Sequence, residues 1–190
     1  MSGIVGSKFN IRGSGLVGSL GTDGQHMLSA GPGVSNVFET VAAGGSTPAF
    51  SAELGSDQDI GDNSLVKAAF STEVFDSGSV YDASSNYRFT PGVEAKYFIY
   101  LSVMFQCGLA VVGQTEVHLY KNGSSIIGLN TLGPHGETKY RTHNMSAIVL
   151  LDADDYVEAY VKGDTTYSSG VGGQDIFVYA DSQFGGFKIA

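Results

Sequence analysis

The chain has 190 residues, 42% of them hydrophobic, which is enough for one packed domain with an appendage. Ten basic residues against 19 acidic ones give a net charge of −9, which excludes the basic stripe of a nucleic-acid binder and offers nothing to anionic lipid. Charged residues are only 15%, against a usual share of about 25%, and the 27 glycines point to many short strands joined by turns.

Residues 1–43 alternate short apolar pairs with Gly and Ser and could not bury a core alone. They read as an extended arm with strand-like pieces at Lys8–Arg12, Gln25–Ser29 and Asn36–Val41. Residues 44–48, Gly-Gly-Ser-Thr-Pro, read as a linker. Within the arm, Gly13–Gly18 matches the dinucleotide fingerprint GxGxxG, but Ser19–Gly24 cannot open the helix that the motif requires.

From Ala49 onward strand signals recur at short spacing. Strands are predicted at Ala49–Leu54, Leu65–Phe70 and Asn86–Phe89, with a polar acidic loop at Gly55–Asn63. Thr90-Pro91-Gly92 turns into the segment ending at Cys107. Thr115–Lys121 alternates with Val117 and Leu119 on one face, and Asn122-Gly123 predicts a tight hairpin because both residues accept positive φ. Ser125–Leu129 returns. Lys139–Leu151 runs into an acidic turn at Asp152–Asp155, and Tyr156–Val161 alternates with Val157, Ala159 and Val161 inward. Ile176–Tyr179 and Phe184–Ile189 close the pattern. No stretch of ten residues carries a helical period, so about eight to ten strands predict an all-β sandwich or barrel.

Two of these strands are apolar on both faces. Tyr97, Ile99, Leu101, Val103 and Phe105 fall on one side of their strand, and Phe98, Tyr100, Ser102 and Met104 on the other. Ile148 and Leu150 likewise alternate with Ala147, Val149 and Leu151. Antiparallel sheets in layered proteins commonly keep one face wet, so the second apolar face calls for a cover. Without helices to supply it, other copies of the chain are the expected cover, with Phe98, Tyr100, Ile148 and Leu150 in the interface.

Little in the sequence suggests chemistry. His26, His118, His135 and His143 lack metal-ligand spacing, and no serine lies in a GxSxG elbow. Asp57, Asp59 and Asp62 lack the order of a calcium loop, and the single cysteine, Cys107, sits on an apolar strand where a thiol is inert. No catalytic residue, metal site or cofactor is expected. No apolar run is long enough to span a membrane, and the N-terminal segment lacks the core and cleavage pattern of a signal peptide, so maturation in a cytoplasm is expected.

The segment FTPGVEAKYFIYLSV resembles the central motif of the complement C1q/tumour necrosis factor family, Phe-(x)5-Gly-x-Tyr-x-Phe. Phe89 and Tyr97 fall on matching positions, Ala95 replaces the family glycine, and Ile99 replaces the following aromatic. The match continues through Val117–Gly123, Ile148–Leu151 and Val157–Tyr160 to the closing Phe184-Gly185-Gly186-Phe187, covering roughly residues 49–190. The resemblance implies a ten-strand C1q/TNF-like jelly roll, assembled as a homotrimer around an apolar axis, that binds partners and is not an enzyme. In the arm, Leu20–Gly33 is similar to GTDGQVLTSAGAG segments of bacteriophage tail-fibre and other virion proteins.

Together these readings predict a trimeric phage structural protein, made in the host cytoplasm and residing in the virion as fibre, receptor-binding or capsid and tail decoration protein. Residues 1–43 would anchor it to other virion proteins, 44–48 would link, and the jelly roll 49–190 would project. A bacterial C1q-like lectin or adhesin is the alternative. Contact with a host glycan or protein is expected in the loops Gly128–Thr142 and Gly163–Asp175, at His135, Tyr140, Arg141 and Tyr167.

Overall fold

The computed structural model describes residues 25–28, 37–40, 47–107, 112–132, 140–165 and 176–189. The chain divides into two units, Met1–Ser46 and Thr47–Ala190. In the first, β1 (Gln25–Leu28) and β2 (Val37–Thr40) form an antiparallel pair with Gln25 opposite Thr40 and Leu28 opposite Val37. These are two of the arm pieces expected from the sequence. The third, Lys8–Arg12, lies outside the described residues.

The second unit holds two antiparallel sheets and, among the described residues, no helix. One sheet contains β3 (Ala49–Glu53), β4 (Gln58–Asp59), β6 (Thr72–Ser77), β9 (Ala95–Cys107), β12 (Tyr140–Leu151), β14 (Ile176–Val178) and β15 (Gln183–Lys188). The other contains β5 (Val66–Lys67), β7 (Tyr81–Asp82), β8 (Arg88–Phe89), β10 (Gln114–Lys121), β11 (Ser124–Leu132) and β13 (Val157–Asp164). β9 is the spine of the first sheet. Along one side it is bonded to β12 from Ala95 to Gln106, and along the other first to β15 and then to β14. β3 lies between β15 and β6.

Strand period dictates the core. The odd residues of β9 from Tyr97 to Cys107 are buried, and they meet Val117 and Leu119 of β10 and Val157, Ala159 and Val161 of β13 from the opposing sheet. An aromatic cluster joins the two layers at one end. Phe50 stacks on Tyr81 and on Phe89, both at 4.7 Å between centroids, and meets the edge of Phe184 at 4.9 Å. Phe89 in turn meets Tyr97 at 5.4 Å in a T-shaped pair. Each such contact adds about 0.5–1.5 kcal/mol to the area term. Tyr81 keeps its buried hydroxyl satisfied by donating to the Phe70 carbonyl at 2.9 Å, and burial pushes its phenol well above the usual range.

The turn chemistry follows the sequence. Asn122 and Gly123 have φ of 50° and 77°, and Lys121 pairs with Ser124 across them, as a two-residue hairpin demands. The Asp152–Asp155 turn is locked by the Asp155 carboxylate, which accepts from Asn122 Nδ2 at 2.6 Å, Lys121 Nζ at 2.6 Å and the Asp152 amide at 2.7 Å. These bonds, that from Lys121 above all, hold its carboxyl down at about 2.

Several elements differ from the sequence expectation, among them the short strands β4 and β7, which were not predicted. Only Val66–Lys67 of the predicted Leu65–Phe70 forms a ladder, and β6 arises where no strand was expected. Among the described residues β6 pairs with β3 alone, through a bulge between Ser51 and Ala52, and leaves both Val74 and Phe75 exposed. A bulged edge strand has no buried face to impose alternation, so its period is invisible. β11 runs on to Leu132, beyond the predicted Ser125–Leu129, and β12 begins at Tyr140, within the predicted Lys139–Leu151, so Tyr140 and Arg141 belong to β12 rather than to a loop over Gly128–Thr142.

Candidate interaction face

The even residues of β9 point away from the core, and the register sets their neighbours. Phe98 lies between Ile148 of β12 and Phe187 of β15, whose ring is 5.4 Å from its own, and Phe187 is followed by Ala49 of β3. One pair further along, Tyr100 lies between Ser146 and Gly185, with Ser51 and then Phe75 beyond. The outer face of this sheet is therefore apolar where the sequence placed an interface. Ile148 is 68% exposed, Leu150 56%, Phe187 48% and Phe75 50%, while Phe98 and Tyr100 are half-buried by their neighbours.

Further along the strands the same face turns polar, through Ser102 opposite Asn144 and Gln106 opposite Tyr140. Between the halves lies an open depression of about 220 Å³ lined by Tyr100, Ser102, Asn144 and Ser146, with Leu101 and Met145 at its floor. Among the described residues β12 pairs with no strand but β9, and the Leu150 carbonyl beside the apolar rows accepts from Lys121 Nζ at 2.9 Å.

The four interface residues predicted from sequence thus share one face. The four predicted contact residues do not form a described cluster. His135 and Tyr167 lie outside the described residues. Tyr140 is exposed, whereas Arg141 points inward, as the next residue of a strand must. Its guanidinium donates to the Thr131 carbonyl at 3.1 Å and the Val112 carbonyl at 3.2 Å, and burial lowers its pKa. Phe187, Ile189 and Phe75 also belong to the apolar face and were missed. The signal was weak for Phe187 because Gly185 and Gly186 before it have no side chain to mark a face.

Among the described residues no group of three or more His, Cys, Asp or Glu side chains is placed to hold a metal ion. Asp57 accepts from the Ala180 amide, Asp59 from the Gly61 amide, and Asp62 from the amide and hydroxyl of Thr165, so the three carboxylates serve separate backbone turns. His143 is buried with Nε2 2.6 Å from Thr115 Oγ1 and its ring edge-on to Phe105. Cys107 is buried at the end of β9. No helix of the described residues is long and apolar enough to cross a membrane.

No protein-family description matches the chain, and no curated protein matches it. Solved structures do. The globular domain of zebrafish complement 1qA protein is similar with a TM-score of 0.53 and 14% identity, over 75% of this chain and 98% of that one. Murine APRIL at pH 5.0 is similar at 0.55 and 10% identity, over 75% of this chain and 99% of that one. The Eiger TNF of S. frugiperda is similar at 0.52 and 10%, over 76% and 92%. At such identities the likeness speaks for architecture, and the architecture is the jelly roll of C1q and TNF domains.

Proposed function

We propose that the chain is a homotrimeric structural protein of a phage virion, whose jelly roll associates through the outer face of the β9 sheet and whose residues 1–43 attach it to other virion proteins. The observation that carries the association is the row Ile148–Phe98–Phe187, with Leu150 beside it, exposed on a sheet whose other face already forms the core. Burying a fully exposed side chain of this size contributes about 1.5–3 kcal/mol, and these half-exposed ones part of that. Association costs roughly 4–15 kcal/mol in lost freedom, so several such residues must act together. A threefold arrangement is supported by the family resemblance of residues 49–190, and the virion setting by the similarity of Leu20–Gly33 to virion segments.

In this reading the domain binds rather than catalyses. The host contact is proposed at the exposed Tyr140, with His135 and Tyr167 as the further candidates. Light scattering at micromolar concentration tests the assembly: a mass of three chains is expected, and a folded monomer overturns it. Mass spectrometry of purified particles tests the setting, and absence of the chain from virions leaves the lectin or adhesin of a bacterium.

A further inference from the structure

β11 departs once from regular pairing, and the departure decides which of its side chains reaches the outer face. Ile127 lies opposite Leu119 but Ser125 opposite Tyr120, so Ile126 is the extra residue of a bulge. Without the bulge, strict alternation would put Ser125 opposite Lys121, on the same side as the inward Leu119. With it, Ser125 stands exposed on the face that carries Glu116, His118 and Tyr120.

On that face Ser125, His118 and Glu116 form a chain. His118 Nδ1 lies 3.4 Å from Ser125 Oγ, and its Nε2 lies 3.0 Å from Glu116 Oε2. The imidazole is seated where the neighbouring strand has no side chain: a Cβ on Gly128 would come within 2.5 Å of Nδ1 and 2.7 Å of Cε1. A side chain at 128 would push the ring away from Ser125. The Tyr120 ring is T-shaped to it at 6.3 Å, and Tyr160 of β13 is its partner in register.

Glu116 is fixed in turn. Its Oε1 accepts from Gln114 Nε2 at 2.8 Å and lies 3.4 Å from Lys162 Nζ, which leaves Oε2 to His118. Burial opposes its charge, but the His118 bond and the Lys162 ammonium outweigh burial and hold its carboxyl below the usual range. An ionised carboxylate only accepts, so Nε2 must carry the proton of the neutral imidazole, and Nδ1 keeps its lone pair toward the serine hydroxyl. That is the order of nucleophile, base and orienting acid that draws the proton from a serine as it attacks. The 3.4 Å separation is longer than a tight hydrogen bond, as such pairs often are before a reacting group arrives.

We propose that Ser125 is a nucleophilic serine that takes an acyl group from an activated ester, with His118 as base and Glu116 as the residue that positions it. The bond from Ser125 Oγ to the acyl carbon forms as the ester's bond to its alcohol or phenol oxygen breaks. The serine proton passes to His118 Nδ1 and from there to the departing oxygen. A single acyl group is taken per chain, so the step modifies the protein and turns over no substrate. The site lies on the other sheet from the association face, and it stands whether the chain is one copy or three.

The test incubates the full chain with p-nitrophenyl acetate and follows acetyl groups over time by peptide mass mapping. Ser124, which is exposed too but lies opposite Lys121, is the internal control. Acetyl should accumulate on Ser125 about a hundredfold faster than on Ser124, and His118→Gln should remove that advantage. Ser125→Ala should abolish the rapid release of p-nitrophenol. The rate should rise with pH as the imidazole gives up its proton, and Glu116→Gln should move that rise to lower pH, since a neighbouring carboxylate favours the charged ring. Acetyl on Ser125 no faster than on Ser124, or at the parent's rate in a His118→Gln variant that melts as the parent does, overturns the proposal. Should that variant fail to fold, the ratio of Ser125 to Ser124 in the unaltered chain decides alone.

Discussion

The ring of Tyr100 lies flat across Gly185, so that a Cβ added to the glycine would sit 2.4 Å from the ring's Cζ and hydroxyl oxygen. The hydroxyl is held there by Ser51 Oγ at 3.1 Å. Gly185→Ala must therefore lift the ring off the sheet and break that bond, at a cost of about 1–3 kcal/mol. A double-mutant cycle in urea checks it: Gly185→Ala should cost much less in a Tyr100→Ala background than alone. Additive costs would show that the ring and the glycine are independent.

Replacing Ile148 and Leu150 together with Asp places two charges on the proposed association face while leaving the buried Val149 and Leu151 untouched. Light scattering should report a monomer, and circular dichroism an unchanged β-spectrum. A variant that keeps the parent's mass would place the association elsewhere.

His143 gives the fold a pH dependence. Burial first, and the Arg141 guanidinium second, hold its imidazole below the usual range. The unfolded chain binds a proton near pH 6.5, where the folded one does not. Its contribution is therefore complete above that pH and is lost as pH falls from it through the lower folded value. Urea midpoints should fall over that window, and His143→Gln, which retains a polar group toward Thr115 but cannot titrate, should flatten the fall. Parallel profiles would contradict this.

Asp155 acts at lower pH. Its carboxyl lies at about 2 against the ordinary 3.8, so its bonds to Lys121, Asn122 and Asp152 are present above the ordinary value and lost as pH falls toward 2. Asp155→Asn should lower stability at neutral pH and narrow the gap to the parent between those values. A gap independent of pH would mean that the turn is held by shape alone.

How far the sequence reaches depends on whether a residue's partner is marked in it. The two faces of β9 and β12 could be read because every position from Tyr97 to Phe105 and from Ala147 to Leu151 carries a side chain whose polarity reports its side. Asn122-Gly123 could be read because the turn needs positive φ at both residues. β6 could not, since an edge strand with Val74 and Phe75 both exposed has no burial to encode. The part of Phe187 was hidden by its glycines. Arg141 looked like a contact residue because its carbonyl partners, Thr131 and Val112, carry no signature in a sequence. The stacked pair of Tyr120 and Tyr160, their rings 4.3 Å apart, was equally hidden: they are 40 positions apart, and only the register of β10 against β13 makes them neighbours.

The placement of β15 between β3 and β9 also governs how the chain can be made. The first strand of the jelly roll is hydrogen-bonded to its last, Ala49 opposite Phe187 and Glu53 opposite Gln183. A ribosome releasing the chain from its N-terminus thus exposes β3 and one side of β9 until β15 emerges, and no shorter nascent length can close that sheet. Pairing over such sequence distances is slow, and unpaired apolar edges invite aggregation while it waits. Loss of β15 would leave β9 and β3 without the strand that joins them, so a stop codon shortly before Gln183 would yield insoluble polypeptide rather than a trimmed domain.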